Sequence, residues 1–154
     1  MAAFEKFNCF VEDVAEKKHD LGADTLLVLL TNTEPNAADT VVDTTGGTCV
    51  VKATSNAAEI AAASGYAKGG SEAAHVTSVQ SGGTYKLVLS NVVFTAGAAI
   101  GPFQWAVLYN STAGTSSTRP VIGWWEYPGS AVTLASGETF TVQFDAGTGV
   151  LTLA

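Results

Sequence analysis

Four side chains in this sequence carry the donor atoms of a zinc site: Cys9, His19, Cys49 and His75. Zinc takes about four nitrogen or sulfur ligands, and short CxxC or HxxxH loops usually deliver them in pairs. None of these four residues has a close partner of that kind. No metal site is expected. The other chemistries fare no better. Nucleophilic hydrolysis from a GxSxG elbow needs a motif that is missing. The glycine doublets Gly46-Gly47, Gly69-Gly70 and Gly82-Gly83 give neither GxGxxG nor GxxxxGK[ST], so they read as turns rather than phosphate cradles. Glycoside cleavage needs two carboxylates across one bond. After residue 77 the only acids are Glu126, Glu138 and Asp145. We expect no catalytic, cofactor-binding or metal-ligating residues, no cofactor, and no enzymatic activity. Asn110-Ser111-Thr112 matches a glycosylation sequon, but no secretory leader precedes it, so it should stay unused.

The feature closest to a recognition site is Trp124-Trp125. Adjacent strand residues point to opposite faces, so one ring can enter a core while the other faces out. Strict alternation groups Trp125 with Val121 and Tyr127, and Trp124 with Ile122. Packing in the core, anchoring at a protein interface and stacking on sugar rings are the three roles open to them.

These residues sit in the run from Ile100 to Phe144, which reads as strand, turn, strand, turn, strand. Alternation places Phe103, Trp105, Val107 and Tyr109 on one face. It does the same for Phe140, Val142 and Phe144, with Thr139, Thr141, Gln143 and Asp145 opposite. Further strands are expected at Leu26–Thr31, Thr48–Ala53, His75–Val79, Tyr85–Leu89, Val92–Thr95, Val121–Tyr127, Ala131–Leu134 and Val150–Leu153. Turn chemistry at Ser81-Gly82-Gly83, Gly101-Pro102, Tyr127-Pro128-Gly129 and Ser136-Gly137-Glu138 separates them. Many short strands with frequent turns argue for a sandwich or small barrel. Residues 4–19 read as an amphipathic helix, with Phe4, Phe7, Val11 and Val14 on one face and Gly22 as the stop. It covers the sheet or docks as an arm on a neighbour. Residues 57–63, within NAAEIAAA, read as a short helix ended by Gly65.

Composition sets the outer bounds. The 154 residues make one domain, residues 1–154, and bury roughly 70% of the unfolded surface. Charged residues are only 14% and the net charge is −7. Residues 1–77 hold eleven acids and five bases, whereas residues 78–154 hold three and two. Without a basic patch, nucleic acid is not an expected partner. The nearly uncharged second half suits a protein contact, because interface cores are depleted in charge. Two cysteines fall short of a disulfide framework, so free thiols in a cytosolic product are expected, with a Cys9–Cys49 bridge as the alternative. No apolar run approaches the ~18 residues of a membrane span.

Three blocks carry a likeness. The opening FEKFNCFVEDVAEKKHDLGADTLLVLLTNTEP, the middle EIAAASGYAKGG, and the ending GPFQWAVLYNST with PVIGWWEYPGSAVTLASGETFTVQFDAGTGVLTLA resemble small structural proteins of tailed-bacteriophage virions. The resemblance implies a head decoration (cement) protein, with a neck or tail component as the alternative. It implies the major capsid protein as partner, a homo-oligomer, and a place in the virion after synthesis in the host cytoplasm. Residue pattern and likeness together predict a mainly β protein. Its fold is an antiparallel, jelly-roll-like β-sandwich with an N-terminal α-helix in segment 1–22 and one short internal helix. A carbohydrate-binding module of a phage adhesion device is the rival from another class.

Overall fold

The structure is a computed structural model and describes residues 3–154. The domain 1–154 and the N-terminal segment 1–22 both include residues 1 and 2, which lie outside the described residues. The chain opens with a two-residue strand, β1 (Glu5–Lys6), and a seven-residue helix, α1 (Cys9–Ala15). Next come β2 (Leu26–Thr31), β3 (Val41–Asp43), β4 (Val50–Lys52), β5 (Ala57–Ala58) and β6 (Ser71–Glu72). The second half contains β7 (His75–Ser81), β8 (Thr84–Leu89), β9 (Val92–Thr95), β10 (Ile100–Phe103), β11 (Trp105–Asn110) and β12 (Arg119–Glu126). It ends with β13 (Val132–Leu134), β14 (Thr139–Val142) and β15 (Leu151–Leu153). Pairing is antiparallel throughout these strands. The protein is mainly β, in keeping with a β-sandwich.

The largest sheet runs β5-β4-β3-β12-β11-β2-β6, with β1 laid on β12. It curls into a half-barrel. Its far end returns to β2 through a bridge between Thr31 and Glu59, and the Ile60 amide donates to the Leu30 carbonyl at 2.9 Å. Leu29, Val107, Tyr109, Val121 and Trp124 point into the half-barrel, where they meet Phe7, Val42, Cys49, Val51 and Ala57. The opposite faces of β2, β11 and β12 present Val28, Leu30, Ala106, Leu108, Ile122 and Trp125 to a second core. That core is closed by the small sheets β15-β8-β7, β14-β9 and β10-β13. Both faces of the three shared strands are therefore buried. This is why LLVLLT, WAVLYN and PVIGWW read as nearly continuous apolar runs.

Several expectations are corrected. The helix predicted over residues 4–19 is confined to Cys9–Ala15. Glu5 and Lys6 pair instead with Trp124 and Gly123 as β1, which sends Phe4 toward Trp125 and Phe7 toward Trp124. Gly123 makes the crossing feasible, since a Cβ there would lie 2.2 Å from the Phe4 ring. The helix stops at Lys17, not Gly22. Lys17 takes a left-handed φ of 61°, with its amide on the Val14 carbonyl and the Lys18 amide on that of Asp13. This is the Schellman pattern with lysine where glycine is usual. Val11 faces solvent, and Phe10 and Asp13 are the buried positions.

The short helix expected over 57–63 does not form. Ala57–Ala58 pairs with β4, and Glu59 bridges Thr31. A seven-residue alanine-rich stretch gains little as an isolated helix. Pairing on two sides wins.

The strand expected over Phe103–Tyr109 breaks at Gln104. Phe103 therefore joins the sandwich core, while Trp105, Val107 and Tyr109 serve the half-barrel. On β12 a register shift opposite Leu108 and Tyr109 inserts one extra residue and changes the phase of alternation. Val121 consequently shares a side with Trp124, and Ile122 with Trp125.

Candidate functional site

The residues weighed for metal binding are not brought together. Cys49 is in the half-barrel core, His19 lies between α1 and the end of β11, and His75 begins β7. Among the described residues no group of three His, Cys, Asp or Glu side chains is placed to hold an ion. The two thiols are free. Cys9 donates weakly to the carbonyls of Asp39 and Thr40, at 3.6 and 3.8 Å. Burial, aided by Asp13, pushes its thiol up to about 12. Burial and the nearby Glu59 charge do the same for Cys49, also to about 12. Neither is poised as a thiolate at neutral pH.

The three late carboxylates lie apart, Glu126 at the end of β12 and Glu138 and Asp145 in separate loops. Glu126 accepts from the Gln104 amide at 3.0 Å. Glu138 accepts from the Ala135 amide at 2.7 Å. Asp145 accepts from the Gly147 and Thr148 amides at 2.6 and 3.2 Å, and these bonds hold its carboxyl below the usual range.

The buried polar groups that stand out in three dimensions were not singled out by any motif. Glu59, at the seam of the half-barrel, accepts from the Cys49 amide at 2.7 Å and the Gly69 amide at 2.8 Å. The Tyr66 hydroxyl donates to it at 3.3 Å and accepts from the Leu30 amide at 3.0 Å. Tyr109 donates to the Gly69 carbonyl at 3.0 Å. Burial raises both phenols above their ordinary value, so both remain donors. A second node is Asp39, which is fully buried. Its Oδ1 accepts from the amides of Ala53, Thr54 and Ser55 at 3.1, 2.6 and 2.8 Å. Its Oδ2 accepts from the Asn36 amide at 2.8 Å and the Ser55 hydroxyl at 2.5 Å. Burial opposes the charge. The Ser55 hydroxyl and the Asn36, Ser55 and Thr54 amides outweigh it, and the carboxyl sits below its usual range. A signal existed for Asp39 alone: Asp in an Asn-Pro-Asp-rich loop commonly binds backbone amides.

The sequon is closed for a structural reason. Asn110 is fully buried, and its side-chain amide donates to Asp24 at 2.6 Å. Trp124 and Trp125 are buried as well, at 5% and 6% exposure. Trp124 lies 4.4 Å from Phe7, and Trp125 lies 5.1 Å from Phe4 and 5.4 Å from Phe144, centroid to centroid. Only Tyr127, among the aromatics at this end, is substantially exposed. It meets Phe140 edge-on at 67°.

What the surface offers is β7. Among the described residues it pairs with β8 alone, leaving its other edge unpaired. Val76 and Val79 on it are 61% and 51% exposed. Residues 73–85 contain no Asp, Glu, Lys or Arg. Its register irregularity is confined to the start, between His75 and Thr77, and the rest runs regularly to Ser81. No family model, curated protein or solved structure matches this chain.

Proposed function

We propose that this chain is a structural protein of a tailed-phage particle. In this reading it binds the outer surface of the capsid as a decoration protein, without catalysis. The observation that carries the reading is the β7 edge. Free strand edges are normally blunted by charge, proline or bulges, because an unpaired ladder recruits other chains. Here the regular part of β7, residues 77–81, has none of these and shows Val79 to solvent, with Val76 exposed just before it. A protein that spends its life against a symmetric shell has a use for such an edge. Binding to the assembled shell then stabilises it by mass action. Packing of both faces of β2, β11 and β12 supports the same reading, since it makes a stiff platform. With it go two finer assignments, a jelly-roll-like relation between the layers and self-association around local symmetry axes.

Imaging of intact particles at residue resolution tests the proposal. Density for this chain on the shell, with β7 against a capsid subunit or a second copy, is the expected result. Density on the neck or tail and none on the shell would reject the decoration role.

A further inference from the structure

His19 follows the helix stop at Lys17–Lys18 and is only 8% exposed. Its ring lies 5.3 Å from that of Phe10 on α1. Its Nδ1 is 3.2 Å from the Asn110 side-chain Nδ2 at the end of β11. The orientation of that amide is set by three other bonds. Asn110 Oδ1 accepts from the amides of Thr112 and Ala113 at 2.9 and 3.0 Å, and Nδ2 donates to Asp24 at 2.6 Å. The second Nδ2 hydrogen therefore points at His19, whose Nδ1 must accept it. The ring proton then resides on Nε2, which is buried without a partner.

The contact accordingly requires a neutral ring. A proton on Nδ1 sets donor against donor, and the amide cannot turn over without losing its other three bonds. The charged groups around the ring divide. Asp13 on α1 and Asp24 before β2 favour the cation, and Lys18 opposes it. Lys17 and Asp20 border an open cleft of about 530 Å³ beside the ring, across which stand Ser78 of β7 and Tyr85 of β8.

We propose that His19 is an acid-operated latch: protonation breaks its bond to Asn110, turns the ring toward the cleft and loosens residues 19–23, while Asp24 stays on the Asn110 amide. The sign is set by burial, which outweighs the two carboxylates and holds His19 below the ordinary value of 6.5. A group depressed in the folded state stabilises fully above its unfolded value and loses that contribution as pH falls through the folded one. The latch is closed at neutral pH and opens under mild acid. It operates whatever surface the protein binds.

Two measurements on the intact chain decide it. NMR titration of the His19 ring should give a midpoint below 6.5. Over the same transition, amide exchange of residues 19–23, corrected for its intrinsic pH dependence, should rise about tenfold or more. His19→Gln offers an uncharged acceptor to Asn110, and it should remove the step. Exchange unchanged between pH 7.5 and 4.5 would overturn the proposal. So would a step that follows the carboxylates rather than the His19 titration, or one that persists in His19→Gln. If His19→Gln does not fold, agreement or disagreement of the two wild-type midpoints gives the answer.

Discussion

The half-barrel core and the sandwich core share β2, β11 and β12 as a common wall, yet different chemistry holds what faces that wall. On the sandwich side large rings do it: Phe94, Phe103, Trp125 and Phe144 are buried among leucines and valines. On the half-barrel side the covering strands β3, β4 and β5 are short and bury only valine and alanine, with Phe7 adding a ring from the N-terminal segment. There the closing contacts are polar: Glu59 and Tyr109 bond to backbone groups, and the Tyr66 hydroxyl, whose ring packs on Phe94 in the sandwich core, joins them at the seam. A segment with little apolar area gains too little from burial to take one position, so directed hydrogen bonds must set it.

The largest effect is expected at Gly70, which seats the 64–70 loop on the shared wall. Its φ is +82°, and a Cβ there would lie 1.8 Å from the Val28 carbonyl oxygen of the shared wall. Gly70→Ala should lower unfolding stability by roughly 4 kcal/mol or more in urea titration. A loss below about 1 kcal/mol would show that the 64–70 loop is not seated on β2. Next in size is the sandwich. Trp125→Ala removes the ring between Phe4 and Phe144 and should cost about 3–5 kcal/mol, while Trp125→Phe should cost clearly less.

Glu59 sharpens the contrast. Glu59→Ala leaves the Cys49 and Gly69 amides without acceptors, and a loss of about 3 kcal/mol is expected. Glu59→Met keeps the volume and should recover little of it. If Met restores full stability, the half-barrel is held by volume after all, and the two cores do not differ.

Asp39 gives a pH test. Its carboxyl is depressed on folding, so its contribution is complete above the ordinary aspartate value and fades as pH falls below it. Asp39→Asn should cost about 1–2 kcal/mol at pH 7 and flatten the acid limb of the stability curve. An unchanged acid limb would assign the acid transition elsewhere. The smallest expected effect lies outside both cores. Val79→Lys should move stability by no more than about 0.5 kcal/mol. On the proposed function it should abolish binding to shells, read by co-sedimentation. Binding equal to the wild type would remove β7 from the contact.

Much of the β architecture was legible. Leu26–Thr31 and Val92–Thr95 are read to the residue, because clear apolar runs or alternation between turn signals leave little choice. The misreadings share a cause. Residues 57–63 and 4–8 have helical composition, but partners distant in sequence use their backbone groups. The face assignments around Trp124 and Phe103 failed at an inserted residue on β12 and a break at Gln104, where period-2 counting loses phase. Glu59 and Asn110 were invisible as a seam and a latch, because nothing in one dimension shows which amides a side chain will face.

By itself, then, the sequence determined a mainly β, low-charge chain without a recognisable reaction motif, because composition, alternation and turn residues are local properties. Tertiary structure decided that three strands are buried on both faces, that Trp124 and Trp125 both lie inside, and that β7 shows exposed valines beside an unpaired edge. Those outcomes depend on long-range pairing and on a one-residue register shift, and no local propensity encodes either.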